Sequence, residues 1–99
     1  MFSGGSYDEV ARWLWNFAEA HAKRESPRVE AVVDTSGARE GVSYGLQLRL
    51  GEARVPPAPL ELPYEDVREG RGNIAWCQAL AVRVRALARE PLAAERRTA

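Results

Sequence analysis

Apolar residues recur with a helical period over residues 7–25 of this chain. On a helical wheel Val10, Leu14, Phe17, Ala18 and His21 cluster, with Trp13 and Ala20 at one edge and Ala11, Trp15 and Ala22 at the other. Arg12, Asn16, Glu19 and Lys23 line the opposite side. Ser6-Tyr7-Asp8-Glu9 has the form of a capping box, with serine and glutamate placed to satisfy each other's amides. Ser26-Pro27 ends the pattern, because a residue before proline avoids the helical region. The period then drops to two. Arg28 to Thr35 places Val29, Ala31 and Val33 on one side. Val42 to Leu50 sets Val42, Tyr44, Leu46, Leu48 and Leu50 against Ser43, Gly45, Gln47 and Arg49. With turn residues at 36–41 between them, these runs predict an antiparallel hairpin with one buried and one solvated face.

Residues 51–63 carry Pro56, Pro57, Pro59 and Pro63, which forbid a central strand. A short edge strand is expected at 58–62, with its prolines blocking foreign strands. Glu65-Asp66 reads as a polar loop. A second helix is predicted after Gly70-Arg71-Gly72-Asn73, with Asn73 as N-cap. Ile74, Cys77, Leu80, Ala81, Val84, Leu87 and Ala88 share its apolar side, and Trp76 lies at the edge. Glu90-Pro91 is expected to end it, leaving 92–99 as a frayed tail and 1–5 as a flexible leader.

The fold predicted is a single α+β domain, residues 1–99. It is a two-layer sandwich with an antiparallel sheet of two or three strands and two helices on one face, in the order α-β-β-(β)-α. With two strands the helices run antiparallel, and with three they run parallel. We favour the third crossing.

Composition narrows the function classes. Fourteen basic residues balance fourteen acidic ones, which argues against a generic nucleic-acid or anionic-membrane binder. The charge is uneven: residues 1–34 carry −2 and residues 66–99 carry +3, read as attraction between the halves. Arginine outnumbers lysine 13 to 1, and labile side chains are scarce. That composition fits a thermostable protein, although arginine bias alone is a poor thermal signal. One cysteine excludes an internal disulfide and a paired-cysteine zinc site. No apolar run approaches membrane-spanning length, so a cytoplasmic protein is expected, with no cofactor, no metal and no membrane partner.

Trp13, Trp15 and Phe17 put three of the eight aromatics into five positions. Residues two apart on a helix point roughly 200° apart, so Trp13 and Trp15 cannot share a face. Trp15 lies among small alanines and lacks an obvious internal home. The proline segment 55–63 or another chain is expected to cover it. With Trp76, these residues define a candidate interface, and the leading reading is a non-catalytic interaction module that homodimerises or binds another protein. The alternative is a thiol enzyme or sensor using Cys77 with His21, a pair that parallel helices would separate. Arg68, Arg71, Gly70 and Gly72 form a candidate anion site at the start of the second helix. Arg83, Arg85 and Arg89 form a candidate nucleic-acid face, disfavoured by the charge balance. The three-strand order resembles that of double-stranded-RNA-binding domains in element order only, since no lysine cluster opens the last helix.

Overall fold

The computed structural model describes residues 5–98. Most of the leader expected at 1–5 lies outside these residues. The elements are α1 (Tyr7–Glu25), β1 (Glu30–Asp34), β2 (Ser43–Leu50), β3 (Ala53–Pro63), α2 (Tyr64–Gly70) and α3 (Ile74–Thr98), with a 3-10 turn at Gly37–Arg39. The protein is an α+β fold with an antiparallel sheet in the order β1-β2-β3. The expected capping box is present. Ser6 Oγ accepts the Glu9 N–H at 3.2 Å and the Glu9 carboxylate accepts the Ser6 N–H at 3.3 Å. Val10, Leu14, Ala18 and Ala22, spaced four apart, form the fully buried stripe of α1. They meet Tyr44, Leu46, Leu48 and Leu50 of β2 in the core, with Val67, Leu80, Val84 and Ala88 from the other helices.

The third strand is longer than the predicted 58–62. Its first stretch pairs Ala53 with Leu50 and Val55 with Leu48, and its second pairs Leu60 with Leu46. Between them Pro56, Pro57, Ala58 and Pro59 bulge opposite Gln47. Prolines cannot donate to a ladder. The buried Gln47 side chain bridges the gap instead, its Nε2 donating to the Pro56 carbonyl at 2.9 Å. The cis peptide bond Val55-Pro56 lies at the start of this bulge.

A solvated outer sheet face was expected, and β2 corrects that: Ser43, Gly45 and Gln47 are buried as well. Arg39 covers this face at Gly45. Its guanidinium lies over Gly45, where an added Cβ would stand 2.7 Å from both Cζ and Nε. It pairs with Asp34 at 2.6 Å and Glu61 at 3.0 Å, tying the two edge strands across β2. Glu61 also accepts the Ser43 hydroxyl at 2.5 Å.

Three crossings make α1 and α3 parallel, as the ladder of contacts between them shows. Trp13 and Trp76 rings lie 6.2 Å apart near the helix starts. Further along, Glu25 pairs with Arg85 at 2.8 Å and Arg89 at 2.9 Å. Beyond them Arg28 forks onto Glu95 at 3.0 and 2.5 Å.

Two boundaries differ from expectation. Residues 64–70 form α2 rather than a loop, anchored by buried Val67. Tyr64 begins it, its hydroxyl donating to the Gly5 carbonyl at 2.6 Å. Tyr64 also tilts against the stacked rings of Tyr7 and Tyr44. The Tyr44 hydroxyl donates to the Tyr7 carbonyl at 2.8 Å, and burial drives its pKa far above the ordinary value. The second difference is Pro91. Helix α3 runs through it to Thr98 instead of ending there. An interior proline costs about 3 kcal/mol, but Pro91 is buried and Leu92 packs against the core. The Arg28–Glu95 fork holds the following turn.

Candidate functional site

The aromatic cluster divides between two surfaces. Trp13 stacks on Phe17 with ring centroids 5.0 Å apart, and Phe17 lies 4.6 Å from the His21 ring. With Trp76 they form a row along the seam between α1 and α3. Trp76 rests on Gly70, where a Cβ would fall 2.2 Å from the indole. So Trp13 and Trp76 pack on each other inside the helical layer.

Trp15 lies elsewhere. Its indole N–H donates to the Ala31 carbonyl of β1 at 3.1 Å while the side chain stays partly exposed. The two covers expected from the sequence were the proline segment and another chain. The contact found is with the edge of β1. Trp13, Trp15 and Trp76 therefore do not make one patch.

An open groove of about 330 Å³ runs along the outside of the α1–α3 seam. Phe17, His21, Cys77 and Ala81 line it, with Ile74 and Gln78 at its rim. Ile74 is 77% exposed and Val82 69% exposed, more than any other large apolar side chain of the described residues. They sit four residues either side of Gln78, on one ridge of α3. The wheel placed Ile74 on the buried side, whereas in the structure it shares an exposed ridge with Gln78 and Val82.

His21 and Cys77 thus border one groove, although the parallel helices offset them along it. Among the described residues no hydrogen bond joins them. The Cys77 thiol points at α2 instead, 3.5 Å from the Gly70 carbonyl. Burial pushes its pKa up, away from the thiolate that a nucleophile needs. Burial, then Arg24 and Arg85, push the His21 pKa down, which disfavours the charged imidazolium. Among the described residues its buried Nδ1 meets no hydrogen-bond partner. A base needs an acidic proton within reach, and the thiol is turned away.

The anion cradle does not assemble. The Arg71, Gly72 and Asn73 amides are taken up by the Val67, Glu69 and Gly70 carbonyls. Gly70 is buried under Trp76. Arg68 lies 5.6 Å from the Tyr64 ring centroid, in cation–π range, and the Arg71 guanidinium lies against Gly5. The arginine face is likewise divided. Arg85 and Arg89 converge on Glu25, lowering its pKa through their hydrogen bonds. Arg83 borders a second groove with Leu60, Leu62 and Trp76, on the β3 side of α3.

Glu19, Glu25, Arg39 and Val82 carry structural or surface roles that residue patterns did not single out. Their partners lie between 12 and 64 residues away in the chain for the two glutamates, a separation no periodicity reports. Among the described residues no group of three His, Cys, Asp or Glu is placed to hold a metal ion. No described helix is long and apolar enough to cross a membrane. No family model matches the chain, and neither a curated protein nor a solved structure shows significant similarity to it.

Proposed function

We propose that this chain is a small non-catalytic interaction module that self-associates through the outer ridge of α3. One observation carries the reading: the two most exposed large apolar residues, Ile74 and Val82, lie symmetrically about Gln78. A two-fold contact reuses the same patch on both copies. With a two-fold axis at Gln78 and the helices antiparallel, Ile74 of each copy meets Val82 of the other, and the two Gln78 amides pair at the centre. Ala75, Ala81 and Ala86 are small enough for close helix approach. The adjoining groove between α1 and α3 adds apolar area toward the roughly 800 Å² per partner of a standard interface. Arg85 and Arg89, already paired with Glu25, bring less like-charge repulsion than free cations would.

This places self-association on α3 instead of on the Trp15 face of the first helix. Sedimentation velocity checks it. The protein should sediment as a dimer at micromolar concentration, and Val82→Glu should convert it to monomer. Gln78→Cys on a Cys77→Ser background should form an interchain disulfide under mild oxidation. A monomer at millimolar concentration, or a dimer untouched by Val82→Glu, overturns the assignment.

A further inference from the structure

The open edge of β1 is where α1 does something that a covering helix does not need to do. An edge strand exposes a row of unpaired N–H and C=O groups, a template for another strand. On β1 both backbone groups of Ala31 point away from β2 and both are taken. The Glu19 carboxylate accepts the Ala31 N–H at 2.6 Å, and the Trp15 indole N–H donates to the Ala31 carbonyl at 3.1 Å. One turn further, Lys23 Nζ donates to the Val29 carbonyl at 3.3 Å. Trp15, Glu19 and Lys23 are spaced four apart, so one stripe of α1 runs along the strand edge. Ala31 is small and buried, which lets the helix approach closely.

We infer that Trp15 and Glu19 act as a surrogate strand, an intramolecular block that keeps β1 from pairing with β1 of a second copy. A neighbouring antiparallel strand would offer one carbonyl and one N–H to Ala31. Glu19 offers the acceptor and Trp15 the donor at that same pair of positions. The opposite edge of the sheet is guarded differently, by the prolines of β3. The block explains why Trp15 stays partly exposed. Its indole is held over a strand edge by the N–H, not sunk into the core. The second copy is the occupant that the vacated edge fits, because an antiparallel two-fold at Ala31 pairs its free groups with their own equivalents. This inference is independent of the α3 contact, and its test keeps the two apart.

Amide exchange at Ala31, followed by NMR, reads the block directly, with Val32 as the internal reference because its partner is Gln47 of β2. In Glu19→Ala, exchange at Ala31 should accelerate by at least about tenfold, the loss of one charge-assisted hydrogen bond, with Val32 unchanged. Glu19→Gln keeps an acceptor oxygen and should retain the protection. The double variant Trp15→Phe/Glu19→Ala, built on Val82→Glu to remove the α3 contact, should regain self-association. Equal Ala31 exchange in Glu19→Ala and the unmodified protein refutes the surrogate strand. A double variant that folds and stays monomeric at high concentration refutes the block on pairing. The single variant decides the first point even if the double variant does not fold.

Discussion

Replacing Gly70 by alanine sets two effects of opposite sign against each other. Gly70 is the last residue of α2, and its φ is not positive. By helix propensity alone, Gly→Ala stabilises by about 1 kcal/mol. The new Cβ, however, would stand 2.2, 2.4 and 2.6 Å from Cδ2, Cε2 and Cε3 of Trp76. Non-bonded carbons rest at about 3.5–4.0 Å, so this rigid ring must retreat by over about 1 Å. An indole buries about 150–250 Å². Losing roughly half of that contact at about 25 cal/mol per Å² costs about 2–3 kcal/mol, within the range for overpacked sites. Burial therefore outweighs propensity, and Gly70→Ala should destabilise by about 1–2 kcal/mol. For a domain this size that lowers Tm by roughly 4–16 °C. Urea unfolding followed by circular dichroism checks it, at one fixed protein concentration because association shifts apparent stability. On a Trp76→Leu background the obstacle is gone, and the same substitution should become neutral or stabilising. A stabilising Gly70→Ala in the unmodified protein, or equal destabilisation on both backgrounds, refutes the reasoning.

Other outcomes follow from the same geometry. The folded-state pKa of Glu25 is held below its ordinary value of 4.5 by hydrogen bonds from Arg89 and Arg85. A depressed carboxyl contributes stability that is fully present above its unfolded pKa and is lost as pH falls through the folded one. Unfolding titrations should therefore show stability falling below about pH 4.5, and Glu25→Gln should flatten that slope; an unchanged acid limb counts against the Glu25 cluster. Cys77 should react with a thiol reagent at least about tenfold faster in denaturant than in the folded state, because burial disfavours its thiolate. Equal rates in both would reopen thiol chemistry at this groove. Val82→Glu should abolish dimerisation in sedimentation, and Glu19→Ala should expose the Ala31 amide to exchange.

Much of the fold was legible because it is encoded locally. Ser6 and Glu9 are three residues apart, and their capping box needs nothing beyond the first turn of α1. Asn73 caps α3 in the same way, its Oδ1 accepting the Trp76 amide at 2.9 Å. The period-two runs define β1 and β2 to within two residues of their observed ends. Segment α2 is not legible in the sequence because seven residues with a single large buried anchor, Val67, are too short to display a period. Pro91 misled for a different reason. The rule that proline ends a helix describes an isolated segment, whereas here buried contacts and a partner 67 residues away hold the next turn.

The candidate sites show the same division more sharply. The sequence by itself determined that Trp13 and Trp15 occupy different faces, since helix geometry allows nothing else. It also determined which residue types were available for chemistry: one thiol, one imidazole and thirteen arginines. Only the tertiary structure decided what those side chains meet. It turned Cys77 toward Gly70, gathered Arg85 and Arg89 onto Glu25, and laid Trp15 and Glu19 along the edge of β1. The physical reason is that periodicity specifies direction around a helix axis. Hydrogen-bond partners, desolvation and exposure depend on which distant backbone or charge that direction encounters once the sheet and helices have packed.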